Sequence, residues 1–185
     1  MTYDAFLTHI LSLCVRDDAP IETFIRRSES YLRTVTKHYL SEQTVTLPVV
    51  DGAIELPADF IETRTITGTK TYKPVSPANA QLTSDEVGYF RAGSNLVLVG
   101  DADAEVALLY WASFPDLTAT TDNWLVTNFP NVYIAAVMKG FYQWTKDPEG
   151  VQIEQAALNE ALSVVQEHDR RGRNTGTIIV GGSSW

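Results

Sequence analysis

Apolar residues first recur at helical spacing. Phe6, Leu7, Ile10, Leu11 and Cys14 mark one face of residues 3–17, which predicts an amphipathic helix. Asp17-Asp18-Ala19-Pro20 ends it, because proline disfavours helical backbone at the residue before it. A second helix is expected over 21–41. Its apolar stripe is Ile21, Phe24, Ile25, Ser28, Tyr31, Leu32, Val35 and Tyr39, and its outer face carries Arg26, Arg27, Glu29, Arg33 and Lys37. The period then drops from 3.6 to 2. Residues 44–47, 53–56, 60–67, 70–75, 89–92, 96–99 and 106–112 read as short strands rich in β-branched and aromatic residues. Asp51-Gly52 is a strong turn signal, and Gly93-Ser94-Asn95 is another. Ser76-Pro77 reads as a cap and a first-turn proline, opening a short helix to about 84.

Helical spacing returns after the strands. Thr121-Asp122 caps a short helix through Asn128, and Phe129-Pro130 interrupts it. Val132, Tyr133, Ala136, Val137, Gly140, Phe141 and Trp144 then share a stripe. Asp147-Pro148-Glu149 opens a last helix to about 171, with Val151, Gln155, Leu158, Ala161, Leu162 and Val165 on its apolar side. Arg170 and Arg171 suit the negative end of its dipole, and Gly172 is expected to terminate it. The expected architecture is α+β: a bundle of about four helices, an inserted module of six or seven antiparallel strands joined by hairpins, and an extended C-terminal tail. The divisions fall at 1–42 (first half of the bundle), 43–118 (β module), 119–171 (second half) and 172–185 (tail).

Composition narrows the function. Hydrophobic residues make up 44% of the 185 and charged residues 20%, so a packed core is expected rather than disorder. The formal net charge is -9, from 14 Lys+Arg and 23 Asp+Glu. A tight nucleic-acid binder needs cationic side chains to displace counterions from phosphates, and an acidic surface repels a duplex. DNA sliding past such a wall is compatible. The one cysteine, Cys14, lies in an apolar run and is expected to be a buried small hydrophobe. There is neither a secretory signal pattern nor an apolar run of bilayer length, so a soluble protein made in a cytoplasm is expected.

Catalytic signatures are missing. There is no phosphate-binding glycine loop, nucleophile elbow or zinc-helix motif. His9, His38 and His168 each fall on an expected helix without a partner at ligand spacing. Asp101 and Asp103 follow Gly100, but a calcium loop needs more oxygens and a late glutamate, so a turn is expected. Asp85 and Glu86 carry no geometry by themselves. No catalytic residue, metal or cofactor is expected. Trp111, Trp124 and Trp144 lie inside expected elements and read as core.

Trp185 is different, because it follows Gly181-Gly182-Ser183-Ser184. Thr177-Ile178-Ile179-Val180 is uncharged, β-prone and flanked by glycines. Such a segment suits a sheet edge or groove on another chain, or alternatively pairing with the protein's own strands.

Four stretches are similar to the head-to-tail adaptor proteins of tailed bacteriophages. Phe24-Ile25 with Glu29, Leu32 and Arg33 resembles the second-helix pattern of that family. Leu56-Pro57-Ala58-Asp59-Phe60 resembles its Leu-Pro-x-Asp-Phe turn, which leads into a strand ending near Ile66. Leu109-Tyr110-Trp111 with Phe114-Pro115-Asp116-Leu117 resembles its strand and exit. Asn123-Trp124-Leu125, then Phe129-Pro130-Asn131-Val132-Tyr133, resembles the opening of its penultimate helix. The resemblance spans about residues 3–170. Phe129 stands where Tyr is usual, Asn131 replaces Asp, and Ser28 replaces Ala; all are conservative.

The resemblance implies a structural protein of the virion neck, made in the host cytoplasm. It implies a ring, commonly of twelve subunits, beneath the portal protein, with DNA passing through the lumen without specific binding. Bundle helices would face neighbouring subunits, which puts Arg26, Arg33 and Lys37 at inter-subunit faces. The tail would reach the portal through Arg173, Thr177, Ile178, Ile179, Val180 and Trp185. The β module would offer a platform to a distal tail or nozzle protein. A muralytic activity suggested for some relatives finds no supporting acid pair here. Two other readings stay open: a tail-completion or neck protein without portal contact, and a small hydrolase using Asp85, Glu86, Asp101 and Asp103.

Overall fold

The computed structural model describes residues 1–77, 86–100 and 103–173. The fold is α+β, in two compact units. One is built from Met1–Leu40 and the chain from Phe114 onward, the other from Ser41–Ser113.

The helical unit contains α1 (Tyr3–Leu13), α2 (Ile21–Val35), α3 (Trp124–Asn128), α4 (Pro130–Thr145) and α5 (Pro148–Arg173). Helix α4 is its centre. Val132, Tyr133, Val137, Met138 and Phe141 are buried, in one cluster with Phe6 and Ile10 of α1, Phe24 and Leu32 of α2, and Leu158 and Val165 of α5. Each such aliphatic or aromatic burial contributes roughly 1.5–3 kcal/mol. The helix starts follow local chemistry. Asn123 Oδ1 accepts the Val126 N–H at 3.1 Å, one residue beyond the expected Thr121-Asp122 cap. Pro130 occupies the first turn of α4. Asp147 Oδ1 accepts from the Glu149 and Gly150 N–H groups at 3.1 and 3.0 Å, as its place before Pro148 predicts.

Three helix ends differ from the pattern. Helix α1 stops at Leu13, with Cys14 extended and half-buried, and Leu11 is exposed rather than on the packed face. Helix α2 stops at Val35 rather than near 41. The Thr36 backbone turns extended, and its hydroxyl and N–H both bond the Leu32 carbonyl, so the side chain competes for the ladder. A 3-10 turn, Tyr39–Ser41, follows. Helix α5 passes through Gly172 to Arg173. That glycine is there for contact: a Cβ on it would lie 2.2 Å from Tyr39 Cε1.

The β unit contains β1 (Glu42–Pro48), β2 (Ala53–Glu55), β3 (Phe60–Thr67), β4 (Thr71–Pro74), β5 (Gly88–Ala92), β6 (Asn95–Val99) and β7 (Glu105–Ala112), in the order β1-β7-β3-β4-β5-β6-β2. The strands stand where period two places them, but two pairings do not follow from it. β4 and β5 are parallel, not a hairpin (Lys73 opposite Gly88, Pro74 opposite Tyr89). Asp51-Gly52 forms a tight turn with φ of 51° and 75°, as its sequence predicts. Beyond the Val50–Ala53 bridge, however, β1 pairs with β7 and β2 with β6, because the flanking groups are taken. The Val49 N–H bonds Ala104 O, and the Leu98 N–H bonds Gly52 O. The turn therefore joins the two outermost strands, and the sheet folds back around Ile54, Ile66, Tyr72, Leu96, Leu98, Val106 and Leu108. The helix expected from Ser76-Pro77 falls almost entirely outside the described residues.

Candidate interface surfaces

Within each unit, residues that carry the family resemblance meet in space. In the helical unit Glu29 is fully buried on α2. Its Oε1 accepts the Leu117 N–H at 2.6 Å and lies 3.4 Å from the Tyr133 hydroxyl, and its Oε2 takes Arg26 at 3.0 Å. Asn123 donates to Tyr133 Oη at 2.7 Å and to the Pro115 carbonyl at 3.2 Å. Arg33 donates Nε to the Phe114 carbonyl at 3.1 Å, stacks 5.1 Å from the Phe114 ring, and pairs with Asp116. Arg26 reaches Asp116 as well, at 3.3 Å. The Arg33 hydrogen bond, with both guanidinium charges, holds the Asp116 carboxyl below its usual range. Burial drives the Tyr133 hydroxyl pKa upward. Segment 114–117 is thus clamped to α2 by a nearly closed polar network. In the β unit, Tyr110 Oη donates to Asp59 Oδ1 at 3.0 Å and its ring stacks on Phe60. Burial first, then Asp59, pushes the Tyr110 pKa up to about 12.

A second constellation sits at the end of α5. His38, placed by the early end of α2, is fully buried rather than on a helix surface. Its ring stacks on Trp124 at 5.0 Å and lies 3.0 Å, nitrogen to nitrogen, from His168. The Leu40 N–H donates to His38 Nδ1 at 3.1 Å, which makes Nε2 the donor toward His168 Nδ1. Asp169 accepts the Tyr39 N–H and Arg173 Nε, both at 2.7 Å. The segment after α2 is thereby stitched to the last turn of α5, where the tail begins.

Two expected outcomes follow. Gly172→Val should displace the Tyr39 ring and cost roughly 1–3 kcal/mol, the usual range for overpacking. Hydrogen exchange over 166–173 should speed up, and unchanged protection would refute the contact. Acid should loosen the same place. Burial opposes ionisation of Asp169, but the bonds from Arg173 and Tyr39 outweigh it and lower its pKa. The ionised carboxylate therefore stabilises the fold at neutral pH, and that contribution fades as pH falls below about 4. Exchange at 168–173 should rise there in the natural chain, and less in Asp169→Asn.

The expected interface residues are spread over these features. Arg26 and Arg33 hold Asp116, and Arg173 holds Asp169 at 2.7 Å. Lys37 is exposed just after α2. Thr177, Ile178, Ile179, Val180 and Trp185 lie outside the described residues, as do Asp85 and Asp101. Asp103 lies just ahead of β7, and its Oδ2 accepts the Thr69 N–H at 3.0 Å and the Tyr72 hydroxyl at 3.2 Å. Glu86 pairs with Lys73 at 3.1 Å. Trp124 and Trp144 are half-buried against the helical core, and Trp111 lies under Arg64. Among the described residues no cluster of three or more His, Cys, Asp or Glu could hold a metal, and no helix is long and apolar enough to cross a membrane.

The His38–His168 pair and the buried state of Glu29 escaped sequence reasoning. One depends on a helix ending early. The other is a charge on an otherwise polar-looking face, whose one clue is that it stands a single turn from Ile25 and Leu32 on the packed side.

No curated protein matches the sequence. A family model does: that of the SU10 adaptor protein matches residues 1–180, and with that span the chain belongs to this family of phage head-to-tail adaptors, structural components of the virion at the head–tail junction.

Proposed function

We propose that this chain forms a ring beneath the portal of a tailed phage, joins the DNA-filled head to the tail and lines the conduit for ejection. The family match over residues 1–180 carries the reading. The stitched end of α5 supports it, since a tail that docks elsewhere needs a firm root. Residues 174–185 reach the portal, with Arg173 at their base and Thr177, Ile178, Ile179, Val180 and Trp185 making the contact. The face of α2 bearing Arg26 and Arg33, with Lys37 just beyond its end, is turned to neighbouring subunits, twelve in the ring. The β unit meets a distal tail protein. DNA passes without capture, consistent with the net charge of -9. The role is structural and needs no catalysis.

Cryo-electron microscopy of the intact particle should place a ring of this chain against the portal. Density elsewhere in the tail would end the proposal. Deleting 174–185 should abolish docking on portal-bearing heads. Full docking by the truncated chain would favour a neck protein that does not touch the portal through this tail.

A further inference from the structure

The helical unit leaves two unlike surfaces open. The first is a groove. α2 and α5 both pack on α4, and between them the small residues Ser28, Ala136 and Gly140 floor a depression of about 230 Å³. For scale, an apolar cavity of about 150 Å³ admits benzene. A second depression of about 170 Å³ continues along the same two helices, between Val35 and Leu162. Tyr31 and Val35, one turn apart on α2, line the groove and are 41% and 38% exposed. The rim is cationic in a chain of net charge -9: Lys139 lies over the Tyr31 ring, and Arg27 has no ion-pair partner among the described residues.

The second surface is the end of α1. Leu11, Leu13 and Val15 are 53%, 42% and 89% exposed, an unusual density of bare aliphatics within five residues. Asp17 follows with no partner among the described residues, while Asp18 is occupied by Arg16. The two surfaces lie on different flanks of α4. α1 meets α4 through Phe6 on Tyr133, and Arg16, just beyond the end of α1, lies over Trp144. Phe24 of α2 stands between that flank and the groove, touching Trp144 on one side and Gly140 on the other. Two unlike patches suit head-to-tail association, which makes a ring where the rotation closes; a two-fold dimer needs one self-complementary patch.

We propose that the α2–α5 groove of one subunit receives Leu11, Leu13 and Val15 of the next copy of this chain, with Arg27 facing Asp17 across the rim. This rests on the ring reading above and names its subunit contact. The charges decide the occupant: the uncharged segment 177–180 offers nothing to Arg27 and Lys139.

The test uses the full-length chain on portal-bearing heads that lack it, counting bound copies by cryo-electron microscopy. Val15→Asp, Asp17→Arg and Arg27→Glu all alter exposed positions, so circular dichroism should stay native. At concentrations that just saturate the natural chain, each should bind at least about 10-fold fewer copies, as like charges now oppose one another or a charge enters the groove. The swapped pair Asp17→Arg with Arg27→Glu should restore the count. Full binding by the single variants would overturn the contact and leave the ring standing. So would losses that the swap does not repair. Loss of binding for Arg27→Glu with full binding by Val15→Asp and Asp17→Arg would hand the groove to the tail. Isolated natural copies, with no ring, would overturn the ring reading and this contact together.

Discussion

Glu29→Ala should destabilise the protein by about 3 kcal/mol, the scale seen when one partner of a buried charge network is removed. The change strands the Leu117 N–H, leaves Tyr133 without its carboxylate neighbour and frees Arg26 from a 3.0 Å contact. With a urea slope of roughly 1–3 kcal/mol/M, the unfolding midpoint should fall by about 1 M or more. Glu29→Gln separates the causes. It keeps an acceptor for Leu117 and loses the charge, so about 1 kcal/mol is expected. A midpoint within error of the natural protein for Glu29→Ala would show that the clamp on 114–117 contributes little. The outcome bears on function, because 114–117 is the segment by which the chain leaves the β unit.

Leu108→Ala should cost about 3 kcal/mol, in the lower half of the range for leucines in closed cores. Leu108 is fully buried on β7, the strand that pairs with both β1 and β3, and it shares a core with Ile66 and Tyr72. The loss should appear in urea titration and as faster exchange in β1 and β3. Val97, half-buried on β6, is the comparison: Val97→Ala should cost less than half as much. Equal costs for the two would argue against a single interior beneath β7.

How much of this was legible depended on how local the cause was. The Asp147-Pro148 start of α5 needs only neighbouring residues, and it stands where the sequence puts it. The strands from 42 to 112 were legible because a side chain that alternates faces must alternate polarity. Helix ends were less legible. Thr36 ends α2 by bonding its own helix, a choice open to any threonine and decided here by the burial of His38 beside Trp124. The parallel β4–β5 pair could not be read at all, because alternation is the same for either strand direction.

The candidate surfaces divide in the same way. The motif residues Glu29, Arg33, Asp59, Tyr110, Asp116, Asn123 and Tyr133 were visible as a series, and the family they indicate was visible with them. That Glu29 and Asn123 are buried partners of one network was not, because Glu29 enters it through Leu117 and Tyr133, 88 and 104 positions away. The same holds for His38 and His168, which are 130 residues apart and 3.0 Å from contact to contact.

By itself, then, the sequence determined the α+β class, the positions of the helices and strands, the acidic character and the adaptor resemblance, since each follows from local periodicity or from residues in a row. Tertiary structure alone decided the order of the strands, the fate of the charges on α2, the anchoring of α5 and the open groove beside Arg27. Each of those turns on which distant surfaces exclude water together, and periodicity along a chain carries no record of that.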